Sequence, residues 1–204
     1  MPYNYPKLFN EIVRQVSASG PITSRMLAVI DECERQRPAD GWKHLRELDY
    51  EQDGYRLSSW LISALAEGPA SASFKGLWFG LFNPVVDGDS SADIYVAGSA
   101  EFEPTGIDWA CNSTFYPEGR YLESVVLGGI YRIAYRSDDG LGNDAEHPLV
   151  IACGAMLAKA ALESITLRGP FRPVEGAAVG FDSGDFFFLG SFVGGKLKPK
   201  VTTG

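Results

Sequence analysis

The stretch PLVIACGAMLAKAAL, residues 148–162, decides how the rest of the chain is arranged. Its one charged residue is Lys159, and its other positions predict a helix over 148–165 that is apolar nearly all round. Such a helix is typically enclosed by other elements of the fold. The run is also too short to span a bilayer. We therefore predict that it forms the centre of the core, and that the protein has no membrane partner.

A β-hairpin is predicted on each side of this helix. The strands of the second hairpin are 177–182 and 185–192, joined by Asp182-Ser183-Gly184-Asp185, whose polar residues and glycine suit a tight turn. The strands of the first hairpin are 74–83 and 92–102. Residues 186–189 are apolar on both faces, so this strand is either covered on both sides or keeps one side for a partner.

The chain before the first hairpin has a helical pattern. Three amphipathic segments predict helices at 6–19, 22–36 and 55–66, and a further helix is predicted from Tyr121 to Tyr135. Together, the predicted helices and the two hairpins indicate a single α+β domain over 1–204, with an antiparallel sheet of about four strands packed against helices. Within it we distinguish a helical section at 1–68, the sheet and core helices at 71–192, and a flexible tail at 193–204.

Composition narrows the classes of function and compartment. The formal net charge of −8 argues against nucleic acid as the main partner, because phosphate binding needs clustered Lys and Arg. It is compatible with a basic protein partner. The amino terminus lacks the pattern of a signal peptide, which predicts a cytoplasmic protein. Three widely spaced cysteines predict neither a disulfide framework nor a zinc site, and no phosphate-loop or dinucleotide motif predicts a cofactor.

The most polar segment is the loop at 136–148. Acid–base chemistry or a metal would need its acids and imidazole to converge, and the candidates are Asp138, Asp139, Asp144, Glu146 and His147. EF-hand spacing is absent, so we predict no metal. The alternative interpretation is a solvated loop in which Asp144 or Asn143 caps the next helix. A catalytic pair of Cys111 and His147 is a further hypothesis.

A second candidate site is the aromatic loop at 103–121. Rings among carboxylates are typical of a protein-binding surface, and the alternative is that the rings close the edge of the core. From both loops together, the predicted partner-binding residues are Asp108, Trp109, Phe115, Tyr116, Glu118, Asp138, Asp139, Asp144 and Glu146.

Three phrases carry a resemblance to a known group of proteins. They are YPEGRYLESVVLGGIYRIAY at 116–135, LGNDAEHPLVIACGAMLAKAAL at 141–162 and VGFDSGDFFFLG at 179–190. They resemble bacterial α+β proteins that are similar to immunity proteins of polymorphic toxin systems, over the chain from LWFGLFN onward. The resemblance implies a small cytoplasmic protein that binds and neutralises a cognate toxin, and it transfers no catalytic residue. The negative charge would suit a basic toxin.

Three functions therefore stay open. The first is a non-enzymatic binding protein of the immunity type. The second is a hydrolase that uses the acidic loop at 138–147. The third is a structural subunit of a homo-oligomer, with its aromatic strands at the interface.

Overall fold

The computed structural model describes residues 3–66, 68–86, 89–136, 138, 140–182 and 184–203. Asp139 of the predicted site and Ser183 of the predicted turn lie outside these ranges. The helices are α1 (Tyr5–Ser17), α2 (Ile22–Gln36), α3 (Trp42–Leu45), α4 (Tyr50–Ala66), α5 (Asp108–Cys111), α6 (Val125–Arg136) and α7 (Asn143–Ser164). The strands are β1 (Gly76–Phe82), β2 (Val85–Val86), β3 (Asp89–Ser90), β4 (Asp93–Ser99), β5 (Tyr121–Leu122), β6 (Gly176–Phe181), β7 (Phe186–Val193) and β8 (Lys196–Thr203).

Helix α7 lies at the centre of the molecule, as its sequence predicts. Helices α1, α2, α4 and α6 pack around one side of it, and the sheet packs on the other side through β1, β6, β7 and β8. Within the described residues α7 is the one helix long and apolar enough to cross a membrane, and 89% of its most apolar window is buried. That burial is what the core helix of a soluble protein shows. Its buried Lys159 is paired with Glu163 at 3.0 Å.

Helix α7 begins at Asn143, five residues before the predicted start at 148. Pro148 therefore lies inside the helix and not in its first turn, and Gly142 precedes the helix without a side-chain cap. The expected cap Asp144 instead pairs with Arg37, its Oδ2 lying 2.7 Å from the guanidinium Nη1. A proline inside a helix leaves the carbonyl four residues earlier without its N–H donor. Here that carbonyl, of Asp144, accepts a 2.9 Å hydrogen bond from the Tyr3 hydroxyl.

The sheet corrects the prediction of about four antiparallel strands. It has six strands in the order β5-β4-β1-β6-β7-β8, while β2 and β3 form a separate two-stranded ladder. The hairpins β1–β4 and β6–β7 are antiparallel as predicted. However, β1 and β6 pair in parallel at the centre of the sheet, so the sheet is mixed. The chain between the hairpins passes through α6 and α7. A helical crossover of this kind allows β6 to run parallel to β1.

Most of the segment expected to be a flexible tail forms strand β8, Lys196–Thr203, which is antiparallel to β7. The turn between the two strands is Gly194-Gly195, with φ values of 61° and 81°. Two consecutive positive φ angles are what a tight two-residue hairpin turn requires. Strand β8 ends the sheet, and its lysines together with Pro199 disfavour pairing with another chain.

Buried Asp53 ties α4 to the start of α6. Its Oδ2 accepts from the Ser124 hydroxyl and, at 2.9 Å, from the Val126 N–H. Ser124 in turn accepts from the Leu127 N–H at 2.9 Å, so it caps α6. In the middle of α6, Gly129 leaves room for Leu48, whose side chain would lie 2.9 Å from a Cβ at that position. The close approach explains why a glycine stands at this position of the helix.

Both faces of β7 are covered within the chain. Phe187 and Leu189 belong to the large core around α7. Phe186 and Phe188 belong to a second, smaller core with Trp78, Trp109 and Ala178. We call the side of the sheet with this second core the loop face, because the segment 102–116, with α5, packs on it.

Candidate functional site

The floor of the loop face is built on two pairs of glycines. In the parallel pair β1–β6, Gly76 lies opposite Gly176, and Gly80 lies opposite Gly180. Between them Trp78 lies opposite Ala178. Since alternate residues of a strand point to the same side, all four glycines share the face of Trp78 and present bare backbone there.

Aromatic rings fill the space that three of these glycines leave. A Cβ at Gly76 would lie 2.5 Å from the Trp109 ring, and one at Gly80 would lie 2.0 Å from the Tyr95 ring. A Cβ at Gly176 would lie 2.2 Å from the Phe102 ring. These separations are shorter than any van der Waals contact, so the rings rest directly on the backbone of the sheet.

A cleft of about 200 Å³ opens between this floor and the loop. Its aromatic walls are Trp78, Tyr95 and Tyr116. Phe181 also lines it, although the Phe181 ring packs against the main core. Ile107 and Ala110 add aliphatic surface, and Cys111 and Asp182 are its polar side chains. Asp182 follows the last residue of β6, so the central strand of the sheet places it at the mouth.

A chain of hydrogen bonds crosses the cleft. The Trp78 indole N–H donates to the Tyr95 hydroxyl oxygen at 3.1 Å, and the Tyr95 hydroxyl donates to Asp182 Oδ1 at 2.8 Å. Burial, and secondarily the hydrogen bond and charge of Asp182, raises the pKa of the Tyr95 phenol. Tyr95 is therefore a neutral donor that fixes the position of the exposed carboxylate.

The rim of the cleft already holds a cation. The Arg120 guanidinium carbon lies 5.2 Å from the centroid of the Tyr116 ring and 4.5 Å from that of the Tyr121 ring. Its Nη2 also donates to the Tyr121 hydroxyl at 2.8 Å. These distances are within the range of cation–π contacts.

The predicted aromatic residues lie in three different places. Trp109 is buried in the second core. Phe115 packs in the main core, with its ring centroid 5.1 Å from that of Phe74. Tyr116 is half exposed and lines the cleft. Asp108 and Glu118 are exposed on the same loop.

The described members of the predicted acidic set do not converge. Asp144 pairs with Arg37, and Glu146 is buried with its Oε1 3.4 Å from the Asn83 amide nitrogen. Burial raises the pKa of Glu146. Asp138 is exposed.

Among the residues that the structure describes, His147 pairs with Asp185 and not with the acidic loop or Cys111. Its Nε2 lies 2.9 Å from Asp185 Oδ2, and its ring stacks on Phe181 at 5.3 Å. Cys111 is exposed on the wall of the cleft. Over the part of the chain that the structure describes, no three side chains of His, Cys, Asp or Glu are grouped to hold a metal ion.

Sequence reasoning missed Trp78, Tyr95 and Asp182 as members of one site. The available signal was the matching spacing of GLWFG at 76–80 and GAAVG at 176–180, which become neighbours in the sheet. Comparisons with protein-family models, with curated proteins and with solved structures gave no match.

Proposed function

We propose that this is a non-enzymatic binding protein and that the cleft of the loop face contacts its partner. The observation that carries the proposal is a surface cleft in which aromatic walls surround a carboxylate fixed by Tyr95. Exposed aromatic surface next to a fixed polar group is typical of the anchor points of protein interfaces.

The size of the cleft favours a protein partner over a free small molecule. Pockets for drug-sized ligands span roughly 300–1,000 Å³, whereas this cleft has about 200 Å³. A single side chain of a partner fits a space of this size better than a cofactor does. The net charge of −8 further favours a basic partner, because opposite charges speed association.

The resemblance to immunity proteins suggests which class of protein the partner belongs to. The partner would be a cognate toxin, neutralised in the cytoplasm by complex formation. The dispersal of Asp144, Glu146 and His147 to separate partners also supports binding over hydrolysis.

Co-expression with the product of any toxin-like reading frame that neighbours the gene tests this function. We expect the tagged chain to co-purify with that product and to restore the growth of cells that produce it. Absence of both a complex and protection would contradict the proposal. Light scattering of the free chain tests the remaining alternative, since a homo-oligomeric structural protein would not be a monomer.

A further inference from the structure

We propose that the cleft of the loop face takes one arginine side chain of the partner, stacked against its aromatic walls and paired with Asp182. This inference rests on the proposed binding function and specifies the chemistry of the contact. Its three supports are the walls, the carboxylate and the shape of the guanidinium group.

The walls supply π surface that a cation can use. Tyr95 and the half-exposed Tyr116 supply most of this surface, because Trp78 lines the cleft but is only 4% exposed. Arg120 on the rim shows that the tyrosines at this end of the sheet accept a guanidinium, since it lies over Tyr116 and Tyr121. The cleft extends the same kind of surface inward.

The carboxylate supplies the matching charge. Among the described residues, the recorded hydrogen-bond partner of Asp182 is Tyr95, which donates to Oδ1. A carboxylate has about four lone-pair sites on two oxygens, so this bond leaves acceptor capacity for a second donor group. The Tyr95 bond also fixes the carboxylate before the partner arrives, which lowers the entropy lost on binding.

Arginine fits these two features better than lysine. Its guanidinium is planar, stacks on aromatic rings and offers a fork of N–H donors that matches a carboxylate. An ammonium is a compact and strongly hydrated charge that makes less use of flat ring surface.

An NMR titration of the isotope-labelled protein tests the inference without any partner. The probe is Nα-acetyl-arginine amide, and its matched control is Nα-acetyl-citrulline amide, which has the same shape without the charge. The reporter is the indole N–H signal of Trp78, assigned with the Trp78→Phe variant. We expect the arginine probe to shift this signal saturably, and the citrulline probe to leave it in place.

Two variants sharpen the result. Asp182→Asn should weaken arginine binding by about tenfold, the size expected for the loss of one charge-assisted hydrogen bond. Asp138→Asn removes the same charge from an exposed acid outside the cleft and should leave binding unchanged. Because Asp182 is exposed, its replacement should not change the thermal midpoint.

The inference is overturned if arginine does not shift the signal, if citrulline shifts it equally, or if Asp182→Asn binds as the wild type does. A stronger response to Nα-acetyl-lysine amide would overturn the choice of arginine. A negative titration would overturn the arginine contact alone, and a toxin that co-purifies would still be the partner. Conversely, a positive titration with no toxin complex would contradict the proposed function alone.

Discussion

The ring of Tyr95 lies on the bare backbone of Gly80, where a Cβ would come within 2.0 Å of it. This contact links the two antiparallel strands β1 and β4 and sets the floor of the cleft. The ring could not occupy this position above any residue with a side chain. Gly180 lies opposite Gly80 in β6, and backbone atoms occupy the space beside it. A Cβ at Gly180 would lie 2.4 Å from the Asp185 carbonyl oxygen.

These contacts predict an order among glycine-to-alanine variants. Gly180→Ala should destabilise the fold most, by more than about 3 kcal/mol, because backbone cannot move aside. Gly80→Ala should cost about 1–3 kcal/mol, because the Tyr95 ring can shift. Gly106→Ala is the matched control, since its nearest neighbour would be a Glu103 side-chain atom at 4.0 Å.

Urea denaturation of the three variants checks this order. Gly106→Ala should lie within about 0.5 kcal/mol of the wild type. If Gly80→Ala were equally neutral, the close seating of the Tyr95 ring would be wrong.

The bond between Tyr3 and the Asp144 carbonyl predicts a coupling with Pro148. Tyr3→Phe should destabilise the protein by about 1 kcal/mol, because it leaves that carbonyl without a donor. In a Pro148→Ala background the restored N–H of residue 148 can bond the same carbonyl. The loss from Tyr3→Phe should then be smaller, and a double-mutant cycle by urea denaturation measures the difference.

Tyr5→Phe serves as the control in both backgrounds. Its hydroxyl makes no hydrogen bond recorded within the described residues, so the change should be near neutral. Equal losses from Tyr3→Phe with and without Pro148 would contradict the coupling.

Glu146 predicts a dependence of stability on pH. Burial raises its pKa in the folded state above the ordinary value of 4.5, although Asn83 and His147 act in the opposite direction. A carboxyl group with a raised pKa contributes its stability below the ordinary pKa and loses it as the pH rises through the raised one. Glu146→Gln cannot ionise, so it should gain stability over the wild type as the pH rises from about 4 to about 7.

Urea midpoints across that range measure the effect. The difference in unfolding free energy between Glu146→Gln and the wild type can grow by at most about 1.4 kcal/mol for each pH unit. Glu118→Gln, at an exposed position, provides the comparison and should show little trend. If the advantage of Glu146→Gln over the wild type shrank with rising pH, the raised pKa of Glu146 would be refuted.

The three cysteines should differ sharply in reactivity. Cys33 and Cys153 are buried, and burial raises the pKa of Cys33 to about 12 and also raises that of Cys153. Because the thiolate is the reactive form, both should resist alkylation in the native state. Cys111 is exposed and should react. Mass spectrometry should find one modified cysteine before unfolding and three after, and Cys111→Ser should abolish the native signal.

Local patterns in the sequence predicted the elements but not the way they join. The apolar run at 148–162 predicted a central helix correctly, because burial on all sides follows from composition alone. The parallel pairing of β1 with β6 depends on where two helices return the chain, which no local pattern records. The strand after Gly194 was missed although a Gly-Gly pair between alternating residues is a hairpin signal, because the lysines around it resemble a solvated tail.

The site was harder to predict than the fold. Tyr95 and Asp182 are 87 positions apart, and the parallel pair brings them together. Asp182 was interpreted as a turn residue, which it is, but its position after a central strand also places it at the cleft. In contrast, Trp109 and Phe115 are predicted partner-binding residues of the aromatic loop, yet they pack into the two cores.

The measurement that tests the central claim most directly is the rate of Cys111 alkylation by iodoacetamide in the presence of the two probes. Cys111 lines the cleft beside Tyr116, so a bound guanidinium should shield it. We predict that Nα-acetyl-arginine amide slows the reaction saturably in the wild type, while Nα-acetyl-citrulline amide does not, and that Asp182→Asn removes the protection. An unchanged rate with arginine, or equal protection by citrulline, would contradict the assignment of this cleft as the contact for a basic partner.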